Sequence, residues 1–235
     1  MSFFTPFAFI KQAVAAAPSP VLTNLQLWYD VGNPSSYPGS GTAITDLSGN
    51  GFSGSLFGGP AYTSGPPAYF TMIEGLNSGD YIQTSTVPYT TTAGTAEVWS
   101  YPINSTADFR RLYGSNGFKW DYGVSATGQI QLFNAGSPSP GWHNTGFNLT
   151  FNQYQQIVWA YDSGTGGSLY VNGALIGGNA TWRVKQNGTG MAWGAAYNTQ
   201  ESLGQRLSIV RMYNIKLNAT QVLQNFNADK AKFGL

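Results

Sequence analysis

Apolar and polar positions alternate along this chain in short runs. Each run is closed by Gly, Pro, Asn or Ser, the punctuation of turns rather than of long helices. The runs predict strands at Leu25–Tyr29, Ala68–Met72, Tyr81–Thr84, Thr95–Tyr101, Arg110–Tyr113, Phe118–Val124 and Gln129–Asn134. The stretch QQIVWAYDSGTGGSLYVNGALIGG gives the clearest hairpin. Its strands are Gln156–Tyr161 and Ser168–Val171, and Asn172 with Gly173 makes a tight turn into Ala174–Ile176. Gln205–Tyr213 alternates again and leads into the one convincing helical pattern. There Asn218 can cap, Gln221 completes a capping box, and Val222, Leu223 and Phe226 share one face, so a helix is expected over 219–231, ended by Gly234.

No linker divides the chain after residue 20. Turn spacing and the lack of alternating helix–strand units predict an all-β fold: a two-sheet antiparallel β-sandwich over 21–235 with a short C-terminal helix. The opening MSFFTPFAFIKQAVAAAPSP has another texture. Pro6 and Lys11 interrupt its apolar run and no charge precedes Lys11, which argues against a cleaved export signal. We expect an extended N-terminal docking arm over 1–20, with Phe3, Phe4, Phe7, Phe9 and Ile10 as apolar contacts and Pro18–Pro20 as a stiff joint.

Composition narrows the functions. Charged residues are only 9% and the net charge is +1, with Lys and Arg scattered, so no basic stripe exists for nucleic acid. Cysteine is absent, which excludes disulfides and thiolate metal sites. No apolar run approaches the roughly 18–20 residues that span a bilayer, so no membrane span is expected.

Several stretches together resemble the concanavalin A-like lectin/glucanase superfamily, and within it the laminin-G-like modules common in phage and environmental virus structural proteins. They are LQLWYDVGNPSSYPGSGTAITDLSGNGFSGSL, GDYIQ, AEVWSYP, YQQIVWAYD, LYVNGALIGG and RLSIVRMYNIKLNATQVLQNFNADKAKFGL, in that order over roughly residues 22 to 235. The resemblance implies a jelly roll whose first and last strands lie side by side, with one sheet that in many relatives meets sugar. It leaves function open, because such folds carry hydrolases, lectins and inert modules alike.

The superfamily's hydrolases place Glu, Asp and Glu at near-alternate positions of one strand, an arrangement suited to paired-carboxylate chemistry. Here Glu97 stands alone in TAEVWSYP and Asp121 alone in FKWDYGV. His143 is the only histidine and falls in SPSPGWHNTG, read as a loop. No catalytic residue is therefore assigned and a non-enzyme is expected. Relatives that hold calcium use an acidic residue near the position of Asp80, but no second Asp matches, so no metal or other cofactor is predicted.

Sugar recognition needs aromatic faces beside amides and hydroxyls, and two stretches read as loops have them. GWHNTGFN offers Trp142, His143 and Asn144, while ATWRVKQNGTGMAWGAAYN offers Trp182, Arg183, Trp193 and Tyr197. The competing role for all of them is core filling, since aromatics are 15% of the chain. The sequons at Asn104, Asn148, Asn179, Asn187 and Asn218 follow from a chain rich in Asn, Ser and Thr and do not establish secretion. The favoured expectation is a non-catalytic virion structural protein, a capsid decoration or fibre-type subunit on the virion surface. It would be a homo-oligomer or be docked on other subunits through its arm, and could contact host-surface glycans. The alternative is a secreted carbohydrate-binding module or lectin.

Overall fold

The computed structural model describes residues 18–75, 79–84, 86, 89–103, 108, 110–116, 120–134, 141–184, 188–196 and 201–235. In chain order the strands are β1 (Leu25–Asp30), β2 (Ala43–Ile44), β3 (Gly54–Phe57), β4 (Ala61–Thr63), β5 (Tyr69–Met72), β6 (Tyr81–Thr84), β7 (Ala93–Pro102) and β8 (Arg110–Ser115). They continue with β9 (Trp120–Val124), β10 (Gln129–Asn134), β11 (Gly141–Asn148), β12 (Gln155–Asp162), β13 (Gly166–Val171), β14 (Ala174–Asn179), β15 (Met191–Trp193) and β16 (Gln205–Tyr213). Helix α1 (Ala219–Asp229) follows and tightens into a 3-10 turn over Lys230–Phe233.

The strands form two eight-stranded antiparallel sheets, so the all-β sandwich expected from the turn spacing is what the chain adopts. Sheet A runs β14-β13-β12-β7-β16-β5-β4, and β1 pairs with β16 beyond β5, so the first and last strands do lie side by side. Sheet B runs β11-β10-β9-β8-β15-β6-β3-β2. The hairpin turn is as read: Asn172 and Gly173 have φ of 50° and 76°, the left-handed pair that a two-residue turn requires.

Strand periodicity decides what lies between the sheets. On β12, Ile157, Trp159 and Tyr161 point into the core, while Val158 and Ala160 point out beneath the helix. On β7, Ala96 and Val98 point in, and Glu97 and Trp99 point out. The core is aromatic as well as aliphatic; Tyr29 meets Trp193 edge-on at 5.5 Å.

The C-terminal helix seals the outer face of sheet A. Asn218 caps it as expected: its side chain accepts the Gln221 N–H at 3.0 Å, and Gln221 answers at 3.0 Å. Val222, Asn225 and Asp229 face inward. Phe226 and Phe233 stack on Trp99 at 5.7 and 4.3 Å, and Val222 is fully buried, a side chain of the size that contributes about 1.5–3 kcal/mol when taken out of water. Beneath the helix, Arg211 Nη1 lies 3.1 Å from Glu97 and 2.6 Å from Asp229. Glu97, isolated in sequence, is the best-partnered carboxylate of this face, because Gln156 and Asn225 also donate to it at 3.0 and 2.6 Å. Lys232 extends the network to Asp229 and Asp30 at 3.0 and 2.9 Å. Helix α1 ends at Asp229, two residues before the expected limit of 231, where the chain tightens into the 3-10 turn that carries Lys232.

The chain comes in along the same helix. Ser19 and Val21 are fastened by Gln224 (3.0 Å) and Asn225 (2.7 Å), and the Tyr213 hydroxyl donates to the Val21 carbonyl at 3.1 Å. Of the expected arm, Phe3, Phe4, Phe7, Phe9 and Ile10 lie outside the described residues.

Candidate ligand-binding site

Sheet B turns its other face outward, and strands β8 to β11 carry a connected set of side chains there. Directly opposed residues of antiparallel strands share a face. Phe133 lies opposite both Asp121 and Trp142; Gln131 lies opposite Gly123 and Asn144, and Gly123 opposite Arg111. Tyr122 and Leu132, one residue out of phase, point into the core.

Arg111 is the hub, only 2% exposed. Its Nη2 lies 2.6 Å from the Glu201 carboxylate, its Nε 3.5 Å from that of Asp121, and its guanidinium carbon 4.1 Å from the centre of the Trp142 ring. Gly123 permits this stack, since a Cβ there would come within 2.9 Å of the indole. Gly114 does the same for Asp121, whose Oδ1 would lie 3.0 Å from a Cβ at that position.

Glu201 sits at φ 61°, in the left-handed region, where the other described non-glycine residues are Asn24, Asn152 and Asn172. Its carbonyl accepts the Arg111 main-chain N–H at 2.7 Å while its carboxylate takes the side chain, so the strained residue is held at both ends. Asp121 is fully buried and accepts the Ser115 N–H at 2.9 Å. Burial pushes its carboxyl up to about 7 against the pull of Arg111.

Above this charged floor the face is aromatic and amide-rich. Phe133 meets Trp142 at 5.2 Å and 57°, and both are half-buried. Asn144 is exposed, and its Oδ1 accepts from Gln131 Nε2 at 2.9 Å. Gln131 Oε1 is buried with no hydrogen-bond partner among the described residues.

Of the residues singled out in the sequence, Trp142 and Asn144 reach this face. They do so on strand β11 rather than on a loop, because GWHNTGFN pairs in register with β10. His143, one residue out of phase, lies opposite Leu132 on the other side of the sheet, away from Trp142. In the second stretch the two tryptophans are closed to a ligand. Trp182 and Trp193 are core residues at 6% and 0% exposure, and Trp193 belongs to β15; in a chain this aromatic, the space between the sheets takes the largest rings. Arg183 donates to the Ser163 carbonyl, and Tyr197 lies outside the described residues. Asp80 accepts the Ile73 N–H at 3.0 Å and closes the link between β5 and β6. Among the described residues no three His, Cys, Asp or Glu side chains gather where they could hold a metal.

Arg111, Gln131, Phe133 and Glu201 were not marked by any sequence motif. The available signal was glycine inside a predicted strand, at 123, and directly after one, at 114, where a close approach is expected. A cleft of about 410 Å³ exists on the opposite side, lined by Tyr62, Pro66, Pro67 and Phe233, but its charged groups Asp30 and Lys232 are already joined to each other.

The laminin-G family model described as the concanavalin A-like lectin/glucanases superfamily matches residues 76–223, and the chain belongs to that superfamily. No curated protein matches the sequence. Among solved structures, the binding domain of botulinum neurotoxin DC, in complex with rat synaptotagmin II, superposes with a TM-score of 0.66 at 11% identity, over 88% of this chain and 52% of that one. A botulinum neurotoxin type C structure, described as interacting with two ganglioside molecules, gives 0.66 at 11%, over 88% and 51%. Trypanosoma rangeli sialidase in complex with sialic acid gives 0.64 at 14%, over 93% of this chain and 34% of that one. The chain thus spans about half the length of the toxin chains and a third of the sialidase, and at these identities the likeness is one of fold.

Proposed function

We propose that this protein is a non-catalytic carbohydrate-binding module whose ligand face is the Trp142, Phe133 and Asn144 side of sheet B. The observation that carries the reading is the half-buried aromatic pair set beside an exposed amide and the orphaned acceptor of Gln131. Aromatic surface suits the C–H face of a sugar ring, and fixed amides suit its hydroxyls. Superfamily membership supports this reading, as do fold neighbours described with gangliosides and sialic acid. The non-catalytic part rests on Asp121 and Glu201 both being committed to Arg111, with Asp121 fully buried. A glycan array with the intact chain and Trp142→Ala tests it: binding that falls at least tenfold in the variant is expected. Equal binding by both proteins, or release of reducing sugar from a β-glucan, would sink the reading.

Within it, display on a virion surface, as a decoration or fibre-type subunit docked through the arm, remains our proposal for context. Its support is the apolar sequence of residues 1–20 together with exposed leucines where that segment joins. Leu22, Leu223 on α1 and Leu175 on β14 are 61%, 46% and 58% exposed. Removing residues 2–17 is expected to abolish assembly of the chain with itself or its neighbours. An unchanged particle or oligomer mass would favour the free, secreted lectin instead.

A further inference from the structure

We infer that the saccharide accepted by the Trp142 face is neutral, and that one bearing a carboxylate is refused. The inference rests on the reading of that face as a sugar site. It separates this chain from the sialic acid and gangliosides with which its fold neighbours are described.

A sugar carboxylate is ordinarily gripped by an arginine fork, whose paired N–H groups match both oxygens. At this face the fork is already used. Arg111 points Nη2 at Glu201 (2.6 Å) and Nε at Asp121 (3.5 Å), and its flat side lies against the Trp142 ring. The neighbouring Arg110 is likewise taken, 2.9 Å from Glu74. Among these groups three carboxylates stand against two guanidiniums. Protonation of Asp121 brings that count to balance but frees no cation, since Glu201 still holds Arg111. Among the described residues, a ligand carboxylate would therefore have to displace Glu201 and lose its own hydration for no new partner.

The uncharged groups point the same way. Gln131 Oε1 is a buried acceptor and needs a donor. A sugar hydroxyl supplies one, whereas a carboxylate placed against this atom has none to give. Asn144, whose Oδ1 is engaged by Gln131, keeps its amide N–H groups for a hydroxyl oxygen.

The test is a glycan array on the intact chain in which each neutral oligosaccharide is printed beside its sialylated or uronate-bearing counterpart. The neutral member of a pair is expected to bind at least tenfold more tightly. Glu201→Gln, which releases the Arg111 fork while keeping the side chain's shape, is expected to narrow that ratio severalfold, and Asp121→Asn to narrow it less. Acidic members binding as well as or better than neutral ones would overturn the inference and leave the glycan reading standing. A ratio unmoved by a folded Glu201→Gln protein, as judged by an unchanged melting curve, would also overturn it. Binding of neither member, with Trp142→Ala indistinguishable from the parent, would overturn the glycan reading and this inference with it.

Discussion

The two outer faces of the sandwich are built from the same parts and used in opposite ways. On sheet A, Arg211 lies between Glu97 and Asp229 with its guanidinium carbon 5.1 Å from the Trp28 ring; on sheet B, Arg111 lies between Asp121 and Glu201 with its own 4.1 Å from the Trp142 ring. The first arginine is completely buried beneath α1, and burial opposes its charge. The two carboxylates beside it outweigh that cost and raise its pKa. Among the described residues the second has no helix above it: its cover is a half-buried indole and a glutamate that is 29% exposed. A charged trio under a helix acts as a rivet. The same trio under a single aromatic ring acts as a platform, because the ring still has surface to offer.

The largest expected effect breaks the rivet. Arg211→Ala leaves Glu97 buried without its cation and Asp229 with Lys232 alone, and is expected to cost about 3–5 kcal/mol in urea denaturation. Arg111→Ala is expected to cost less, about 1–3 kcal/mol, because Glu201 can turn to water and Asp121 can take up a proton. Equal losses would erase the distinction between the faces.

Next comes pH. Burial raises the folded Asp121 carboxyl to about 7, while the unfolded one stays near the ordinary 3.8, so the folded state keeps a proton that the unfolded chain releases. Its contribution to stability is full below that lower value and is lost as pH rises toward 7, with a limiting slope of about 1.4 kcal/mol per pH unit. Asp121→Asn is expected to flatten the parent's decline in melting temperature across this window, and an unflattened profile would remove the group from the account.

Smaller effects sharpen the contrast. Trp142→Ala is expected to lower glycan affinity by about 1.4 kcal/mol or more, the tenfold loss named above, while moving the urea midpoint little. Asn218→Ala, which removes the cap of the sealing helix, is expected to cost about 1 kcal/mol of stability and leave glycan binding unchanged.

What was legible in the sequence follows the same division. Strands such as β12 and β16, the Asn172–Gly173 turn and the Asn218 cap are local facts, fixed by residues a few positions apart, and the chain adopts them. Strand β11 was hidden because Gly141 and Gly146 and its run of polar residues look like a loop until β10 pairs with them. Trp193 could not be told from a surface aromatic, since β15 spans only Met191–Trp193 and its burial comes wholly from neighbours. The Arg111 cluster joins positions 111, 121, 142 and 201 on three strands and a connecting segment, so no spacing rule could gather them. Trp142 and Asn144 were singled out by chemistry, and the residues around them are gathered only by topology.

The fastening of Ser19 and Val21 onto α1 gives the molecule a polarity. Ser19 and Val21 lie on the sheet A side, with the thickness of the sandwich between them and Trp142. A tether there would leave the proposed ligand face turned outward, as a bulb is by its socket. Copies set side by side on any support would present their platforms in parallel, and weak single contacts would multiply into avidity through effective concentration alone.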